Sequence, residues 1–279
     1  MQLNVNQTKD TVYYSCSSPI ISSKAYIGHN VEIGPYSIIG DDVYIGDNTK
    51  LGPNVYIPRD TVIGKNNRIY YGAVVGVDPQ DLKYEGEPSQ LIIGDNNIIR
   101  EYVTISRGTK GGGYITRIGN HNLLMGNVHI AHDVKLGNHN IISHYTGLAG
   151  HVETDDYVTI GGNSGILQFC KLGAYCMIGA FSYITKDVLP YSLSQGNPAK
   201  YFGINVLGLR RRNFNSRQRI LIQRAFKILH DAALTSQEIH IKLENLFEFN
   251  QENQDIITNL MNFLKNSTRG FYKKTEISV

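Results

Sequence analysis

Aliphatic residues recur every six positions along the first two thirds of the chain, and so short a fixed period constrains the fold more than any local propensity does. Ile27, Ile33, Ile39, Ile45, Leu51, Ile57, Ile63, Ile69 and Val75 follow one another without a miss, and glycine stands directly after most of them, as at Gly28, Gly34, Gly40, Gly46, Gly52, Gly64 and Gly76. Four places after each aliphatic residue comes mostly a small or β-branched one: Val31, Ser37, Val43, Thr49, Val55 and Thr61, then Asn67 and Ala73. Two positions of every six therefore face inward. That pattern suits short strands joined by tight turns, with glycine easing each bend. A single unit buries too little to stand alone, so neighbours must stack into one continuous core.

The phase survives an interruption from about Asp78 to Gln90, because Ile93, Ile99 and Ile105 keep the register. A second break, glycine-rich at Gly111 to Gly113, shifts the register by one before the pattern resumes at Ile118, Leu124, Ile130, Leu136, Ile142 and Leu148. The pattern then slips at Thr154 and continues through Ile160, Ile166, Leu172, Ile178 and Ile184. Spacing alone leaves the hand of the coil open. After Pro190 the period becomes helical: Ser216 is placed to cap a helix carrying Ile220, Leu221, Ala225, Ile228 and Leu229. Thr235 with Glu238 makes a capping box before Ile239, Leu243 and Leu246, and a third helix runs through Ile256, Ile257, Leu260, Phe263 and Leu264. The expected organisation is a repeat domain over 1–207, with inserted loops near 78–90 and 106–117, and a helical domain over 208–279.

The 27 Lys+Arg against 24 Asp+Glu give a net charge of +3, which marks neither a nucleic-acid protein nor an acidic solvating one. Local charge is more telling: Arg210, Arg211, Arg212, Arg217, Arg219, Arg224 and Lys227 fall together without an intervening acid. Such a stretch is either a solvated helix face or a docking surface for an acidic partner, and it lacks the aromatic platform of a single-strand nucleic-acid site. Cys16, Cys170 and Cys176 are an odd count without C-x-x-C spacing, so a disulfide framework and a cysteine zinc site are both unindicated and a reducing compartment fits. The polar first eighteen residues have no basic-then-apolar leader, and no later run is apolar enough to span a bilayer. The expectation is a cytoplasmic protein with no integral membrane segment.

The repeat resembles that of the hexapeptide-repeat acyltransferases, which implies three hexapeptides per coil, so that residues 18 apart sit one above the other, about 4.8 Å away. His132, Gly150 and Gln168 then form one column and Asp133, His151 and Phe169 the next, which puts two imidazoles beside a carboxylate in a fold with few buried polar groups. Such a cluster suits acid–base chemistry. His29, His121, His139 and His144 fall on turns or outward positions and are expected to be solvated, as are His230 and His240 on their helices.

The stretch Asn127-Val128-His129-Ile130-Ala131-His132-Asp133, with Leu148-Ala149-Gly150-His151, resembles the UDP-N-acetylglucosamine O-acyltransferases, the hexapeptide-repeat enzymes that open lipid A synthesis. Further matching stretches are Pro79 to Glu87, Ile160-Gly161-Gly162, Gln168-Phe169-Cys170, Gln195-Gly196-Asn197, Gly203-Ile204-Asn205, Gly208 to Arg212 and Asn266-Ser267-Thr268-Arg269-Gly270, so that the likeness runs from about Ala25 to Gly270. The resemblance implies a left-handed parallel β-helix, against the usual right-handed crossover preference, and a homotrimer with its active sites between subunits. It implies transfer of a 3-hydroxyacyl chain from acyl carrier protein to the 3-hydroxyl of UDP-N-acetylglucosamine. No separate cofactor is implied, since the acyl group travels on the carrier protein's phosphopantetheine.

By the same match His132 is the general base, Asp133 its support, and the backbone N–H near Gly162 the oxyanion donor. His129, His151, Gln80, Asp81, Lys83 and Gln168 contact sugar and pantetheine, Ala180 stands where acyl length is set, and Asn205, Arg211 and Arg212 hold the nucleotide or diphosphate. The chain departs from many relatives at Leu167, where they carry histidine. Three other functions share features with this sequence: acylation of a 3-amino sugar nucleotide, acetyl-CoA-dependent sugar acetylation, and a zinc hydratase on a similar coil. The last is disfavoured because Val103 and Gly108, 36 residues before His139 and His144, cannot ligate metal. A scaffold solenoid would leave the 80–87 loop and the His132/His151 pair without a purpose.

Overall fold

The computed structural model describes residues 18–248 and 253–273; Cys16 and the rest of the N-terminal stretch lie outside the described residues. Almost every hexapeptide becomes a strand of two to four residues, and the strands stack into three sheets of nine, eight and ten strands, parallel except for the last strand of the third, that form the faces of a left-handed β-helix. Partners lie 18 residues apart, as in Ile20↔Ile38 on the first face, Tyr26↔Tyr44 on the second and Glu32↔Lys50 on the third. The aliphatic positions fill the interior: from Ile39 to Ile184 they are essentially inaccessible, as are the second inward set, Ser37, Val43, Thr49, Val55, Thr61, Asn67 and Ala73.

Two features of the repeat have different causes from those its sequence suggests. The corners do require a left-handed backbone, but the residues that adopt it are ones such as Tyr36, Asp133 and His151, each at φ 61°; of the glycines named after the aliphatic positions only Gly76, at φ 83°, does so. These glycines are needed for close stacking: a Cβ on Gly34 would stand 2.4 Å from the carbonyl carbon of Gly52 in the next coil. Nor is there a slip at Thr154. The register runs unbroken through Leu136↔Thr154↔Leu172, and the Thr154 hydroxyl takes up the N–H of Gly137 at 3.1 Å and the amide of Asn140 at 2.9 Å.

Inside the corner between the second and third faces a column of buried asparagines replaces aliphatic packing. Asn97 receives the backbone N–H of Asn122 at 2.9 Å, and Asn122 receives that of Asn140 at 2.8 Å, so each side-chain carbonyl continues the ladder from coil to coil. Buried amides are tolerated here because each finds a partner in its neighbour.

The coil lengthens at two places. Val75 pairs with Ile105 across 30 residues, and Ile105 with Ile130 across 25. The first insertion adds two hexapeptide lengths and so preserves the phase; the second adds one and a residue more, which is the shift visible in the sequence. Both loops leave the first face at the corner leading to the second, one coil and two coils before the turn that carries His132.

The solenoid ends in an antiparallel strand, Lys200–Ile204, followed by α1 (Val206–Arg211), α2 (Ser216–Leu229), α3 (Ser236–Glu248) and α4 (Gln254–Asn266). Asn215 caps α2 with Gln218 in a reciprocal box, one residue before the serine expected to do so, while Thr235 and Glu238 form the expected box before α3. The buried stripe of α2 is Leu221, Ile222, Ala225, Phe226 and Leu229, so Ile220 is left exposed. His230 is not a solvated helix residue either: its ring packs 4.2 Å from Tyr201, with Phe226 and Phe271 around it. The Asn266–Gly270 stretch straps the helices to the solenoid, because the fully buried Asp187 accepts from Ser267 Oγ at 2.7 Å and from the N–H groups of Thr268 and Arg269. No helix among the described residues is long and apolar enough to cross a membrane.

Candidate active site

The turn after His129–Ile130 carries His132 and Asp133, both almost fully buried although they sit at a corner. Asp133 Oδ2 accepts from His132 Nδ1 at 2.7 Å. With Nδ1 committed to the carboxylate, Nε2 is left as the basic nitrogen of the neutral ring. Gly150 lies one coil on, and a Cβ there would stand 2.8 Å from Nε2, so the imidazole leans on bare backbone. In the next column the His151 ring meets that of His132 edge-on at 5.3 Å, reaches Asp133 Oδ2 at 3.7 Å, and stacks on Phe169 at 4.5 Å. Both columns expected from the 18-residue stacking rule are thus formed.

Both insertions close over this corner. Thr109 donates its backbone N–H to Asp133 Oδ1 at 2.8 Å and its hydroxyl to Oδ2 at 2.6 Å, and Gly112 packs so near that a Cβ would stand 2.0 Å from Asp133 Cγ. Burial leaves the His151 imidazole below its ordinary value, against the opposing pull of Asp133 and, more weakly, of Asp81 on the earlier loop. Gln80 and Lys83 are exposed on the same loop, where the Lys83 N–H is fastened to Asp81 at 3.0 Å. Arg107 ties the loops together: fully buried, it donates to the Gly76 carbonyl at 2.5 Å and to Tyr84 Oη at 3.2 Å, and pairs with Asp78.

On the first face itself, the row Thr104, His129, Gly147, Gly165, Tyr183 points outward. His129 Nδ1 meets the Thr104 hydroxyl at 2.7 Å, and burial, reinforced by His132, lowers its pKa. Gly147 and Gly165 leave the face bare beside the imidazoles.

The remaining residues singled out from the sequence lie elsewhere on the chain. Gly162 and Ala180 share the corner between the third and first faces with His144, at the opposite edge of the first face from His132. Asn205, Arg211 and Arg212 line a cavity of about 540 Å³ against the third face, floored by Tyr157 and Tyr175, with the Arg212 guanidinium 4.7 Å above the Tyr157 ring. Asn205 is also structural: it caps α1 through Gly208 and donates to the Tyr175 carbonyl, both at 3.0 Å. Gln168 is exposed at the His132 corner, and Leu167 beside it packs on the hydrophobic core. His139 is half-buried in a ring stack between His121 and Tyr157, both at 4.7 Å, rather than solvated.

Among the described residues, His132, Asp133 and His151 could converge on a metal ion. Their geometry favours proton transfer, since both carboxylate oxygens already accept N–H and O–H hydrogens. Sequence reading missed Thr104, Arg107, Thr109 and the role of Gly150. The glycine run at 111–113 and the position of Gly150 one coil above His132 were the available signals; the two threonines and Arg107 left none.

Family models for the second domain of UDP-N-acetylglucosamine O-acyltransferase match residues 187–272, and those for bacterial transferase hexapeptides match 24–59, 42–76 and 115–150. The acyl-[acyl-carrier-protein]–UDP-N-acetylglucosamine O-acyltransferase of Sulfurovum sp. is 47% identical over 251 residues, covering 90% of this chain and 94% of that protein. The solved UDP-N-acetylglucosamine O-acyltransferase of Moraxella catarrhalis superposes with a TM-score of 0.87 at 42% identity, over 92% of this chain and 98% of its own. LpxA from Acinetobacter baumannii gives the same TM-score of 0.87 at 44% identity. With relatives of this name 41–47% identical along most of the chain, and family models matching both its repeat and its helical end, the chain belongs to the UDP-N-acetylglucosamine O-acyltransferase family of hexapeptide-repeat acyltransferases.

Proposed function

We propose that the protein transfers a 3-hydroxyacyl chain from acyl carrier protein to the 3-hydroxyl of UDP-N-acetylglucosamine, the first step of lipid A biosynthesis. The observation that carries this reading is the His132–Asp133 dyad, with Nδ1 held by the carboxylate and Nε2 facing bare backbone, in a member of this family. A sugar hydroxyl is a weak nucleophile near neutral pH. His132 Nε2 takes its proton as the oxygen attacks the thioester carbonyl carbon, and Asp133 stabilises the imidazolium. The tetrahedral intermediate then collapses, the C–S bond breaks, and the imidazolium returns the proton to the departing pantetheine thiolate. The developing oxyanion needs a fixed donor. Gly150 fits better than Gly162 because it adjoins the His132 imidazole, whereas Gly162 lies against His144 at the opposite edge of the first face.

His129, His151, Gln80, Asp81, Lys83 and Gln168 are the proposed contacts for sugar and pantetheine. Arg211 and Arg212, positioned by the Asn205 cap, are the proposed diphosphate or nucleotide ligands. Because this last group, together with Gly162 and Ala180, lies away from His132 on the same chain, the reading includes a homotrimer in which neighbouring subunits complete each site. The helical segment 208–279, with its basic run, is the proposed docking domain for acyl carrier protein. We place the enzyme in the cytoplasm, which suits the reduced Cys170 and Cys176. The test is to incubate purified protein with UDP-N-acetylglucosamine and a panel of 3-hydroxyacyl carrier proteins, beside His132→Ala, and to analyse the product by mass spectrometry. A product heavier by one hydroxyacyl group, alkali-labile as an ester and lost in the variant, is expected. An alkali-stable product, or none from a folded trimer with any chain length, would sink the reading.

A further inference from the structure

Asp133 can support His132 only if its own carboxylate is held in one plane, and its own turn provides little to hold it. The backbone there is left-handed at φ 61°, and its N–H is taken by Thr116 Oγ1 at 2.8 Å, which fixes the main chain but not the side chain. What grips the carboxylate is a two-pronged donor from the preceding coil: the Thr109 N–H on Oδ1 at 2.8 Å and the Thr109 hydroxyl on Oδ2 at 2.6 Å. Oδ2 is also the oxygen that accepts from His132 Nδ1 at 2.7 Å. Thr109 is itself almost fully buried, and its loop is pinned at one end by Arg107 and at the other by the bond from Tyr114 N–H to the Thr109 carbonyl at 2.7 Å.

We propose that Thr109 is a positioning residue of the acyl-transfer site, acting through Asp133 to set the orientation and basicity of His132; this inference rests on the acyl-transfer reading above. The hydroxyl shares Oδ2 with the imidazole. Its removal has two consequences: the carboxylate is free to turn about its remaining Oδ1 bond, and Oδ2, no longer shared, attracts a protonated imidazole more strongly. The other titratable groups around His132 are His129 and His151, with Asp81 and Lys135 acting on His151 from either side, and none of them touches the Thr109 hydroxyl.

The experiment compares Thr109→Val and Thr109→Ser with the wild-type protein in steady-state acyl transfer across pH. The His132 imidazole is titrated in parallel by NMR on histidine-labelled protein. For Thr109→Val, kcat is expected to fall on the order of tenfold, since a hydrogen bond to a charged group is lost. KM is expected to stay within about twofold, as the group touches no substrate. The acidic limb of the profile and the His132 titration both move to higher pH, and Thr109→Ser restores all three readouts. A wild-type kcat in Thr109→Val, an equal loss in the serine variant, or a lower kcat with both limb and titration unmoved overturns the proposal. Should Thr109→Val not fold, the same titration in Thr109→Ser and Thr109→Ala decides: only the alanine variant shifts if the hydroxyl matters. If the wild-type protein transfers no acyl group, the reaction reading fails, and the His132 titration alone still confirms or refutes the coupling.

Discussion

Gly150→Ala presses directly on the dyad through the contact that the backbone of the next coil makes with the imidazole. Gly150 is not among the glycines with a left-handed backbone, so alanine meets no conformational barrier there. The new methyl would stand 2.6 Å from His132 Cε1 and 2.8 Å from Nε2, against an ordinary carbon contact of about 3.5 Å. The ring must therefore retreat by roughly 1 Å. It cannot do so and keep the 2.7 Å bond to Asp133 Oδ2, because Thr109 holds that carboxylate from the far side. A 1 Å misplacement of a reacting group costs on the order of 100-fold in rate. The strained charged hydrogen bond adds up to about 2 kcal/mol of lost stability, a fall in Tm of on the order of 5 °C for a chain of this size. Expected, then, is a folded protein melting a few degrees low, with kcat reduced about 100-fold. Acyl transfer followed by mass spectrometry, with thermal melting as control, measures both. A Gly150→Ala protein with wild-type kcat would show that the imidazole does not work from the position seen here.

Asp78→Asn loosens the tie between the two inserted loops and is expected to raise KM about tenfold, with a smaller effect on kcat, because the loop carrying Gln80, Asp81 and Lys83 is displaced while Thr109 still holds the dyad; a change in kcat alone would contradict this. Arg211→Ala is expected to raise KM for the nucleotide sugar by on the order of tenfold and to leave KM for the acyl carrier protein within twofold, which steady-state kinetics on each substrate resolves. Burial lowers the pKa of His129 and of His151 below the usual 6.5, so the unfolded chain binds protons more readily and stability, full above about pH 6.5, falls as the pH drops through that value. Melting curves from about pH 8 to about 5 should show that decline, and His129→Gln should flatten it; an identical slope in the variant refutes the assignment. Asn122→Leu leaves the Asn140 N–H and the Gly137 carbonyl without their side-chain partner inside the solenoid and is expected to cost about 3 kcal/mol, read by denaturant unfolding.

The sequence by itself determined the solenoid, its inward residues, its two insertions and the columns that join His132 to Gly150 and Asp133 to His151. It could do so because a fixed period turns sequence distance into spatial distance: residues 18 apart are neighbours wherever the coil is uninterrupted. The rule fails where the coil is interrupted. Nothing in the spacing of Thr109 or Arg107 relates them to Asp133 or Asp78, because an inserted loop folds back according to its own contacts, and only the tertiary structure decided that both loops close on the histidine corner. The rule is also silent on steric causes. The repeat glycines looked like bend residues, yet they are small because the next coil's backbone lies against them, while Tyr36, Asp133 and their equivalents bear the left-handed turns. The same period sets Gly162 and Ala180, 30 and 48 residues beyond His132, at a different corner, and it says nothing of Asn205, Arg211 and Arg212, which lie past the repeat. Resemblance alone grouped these five residues with His132, and the folded chain sets them at another corner and on another face.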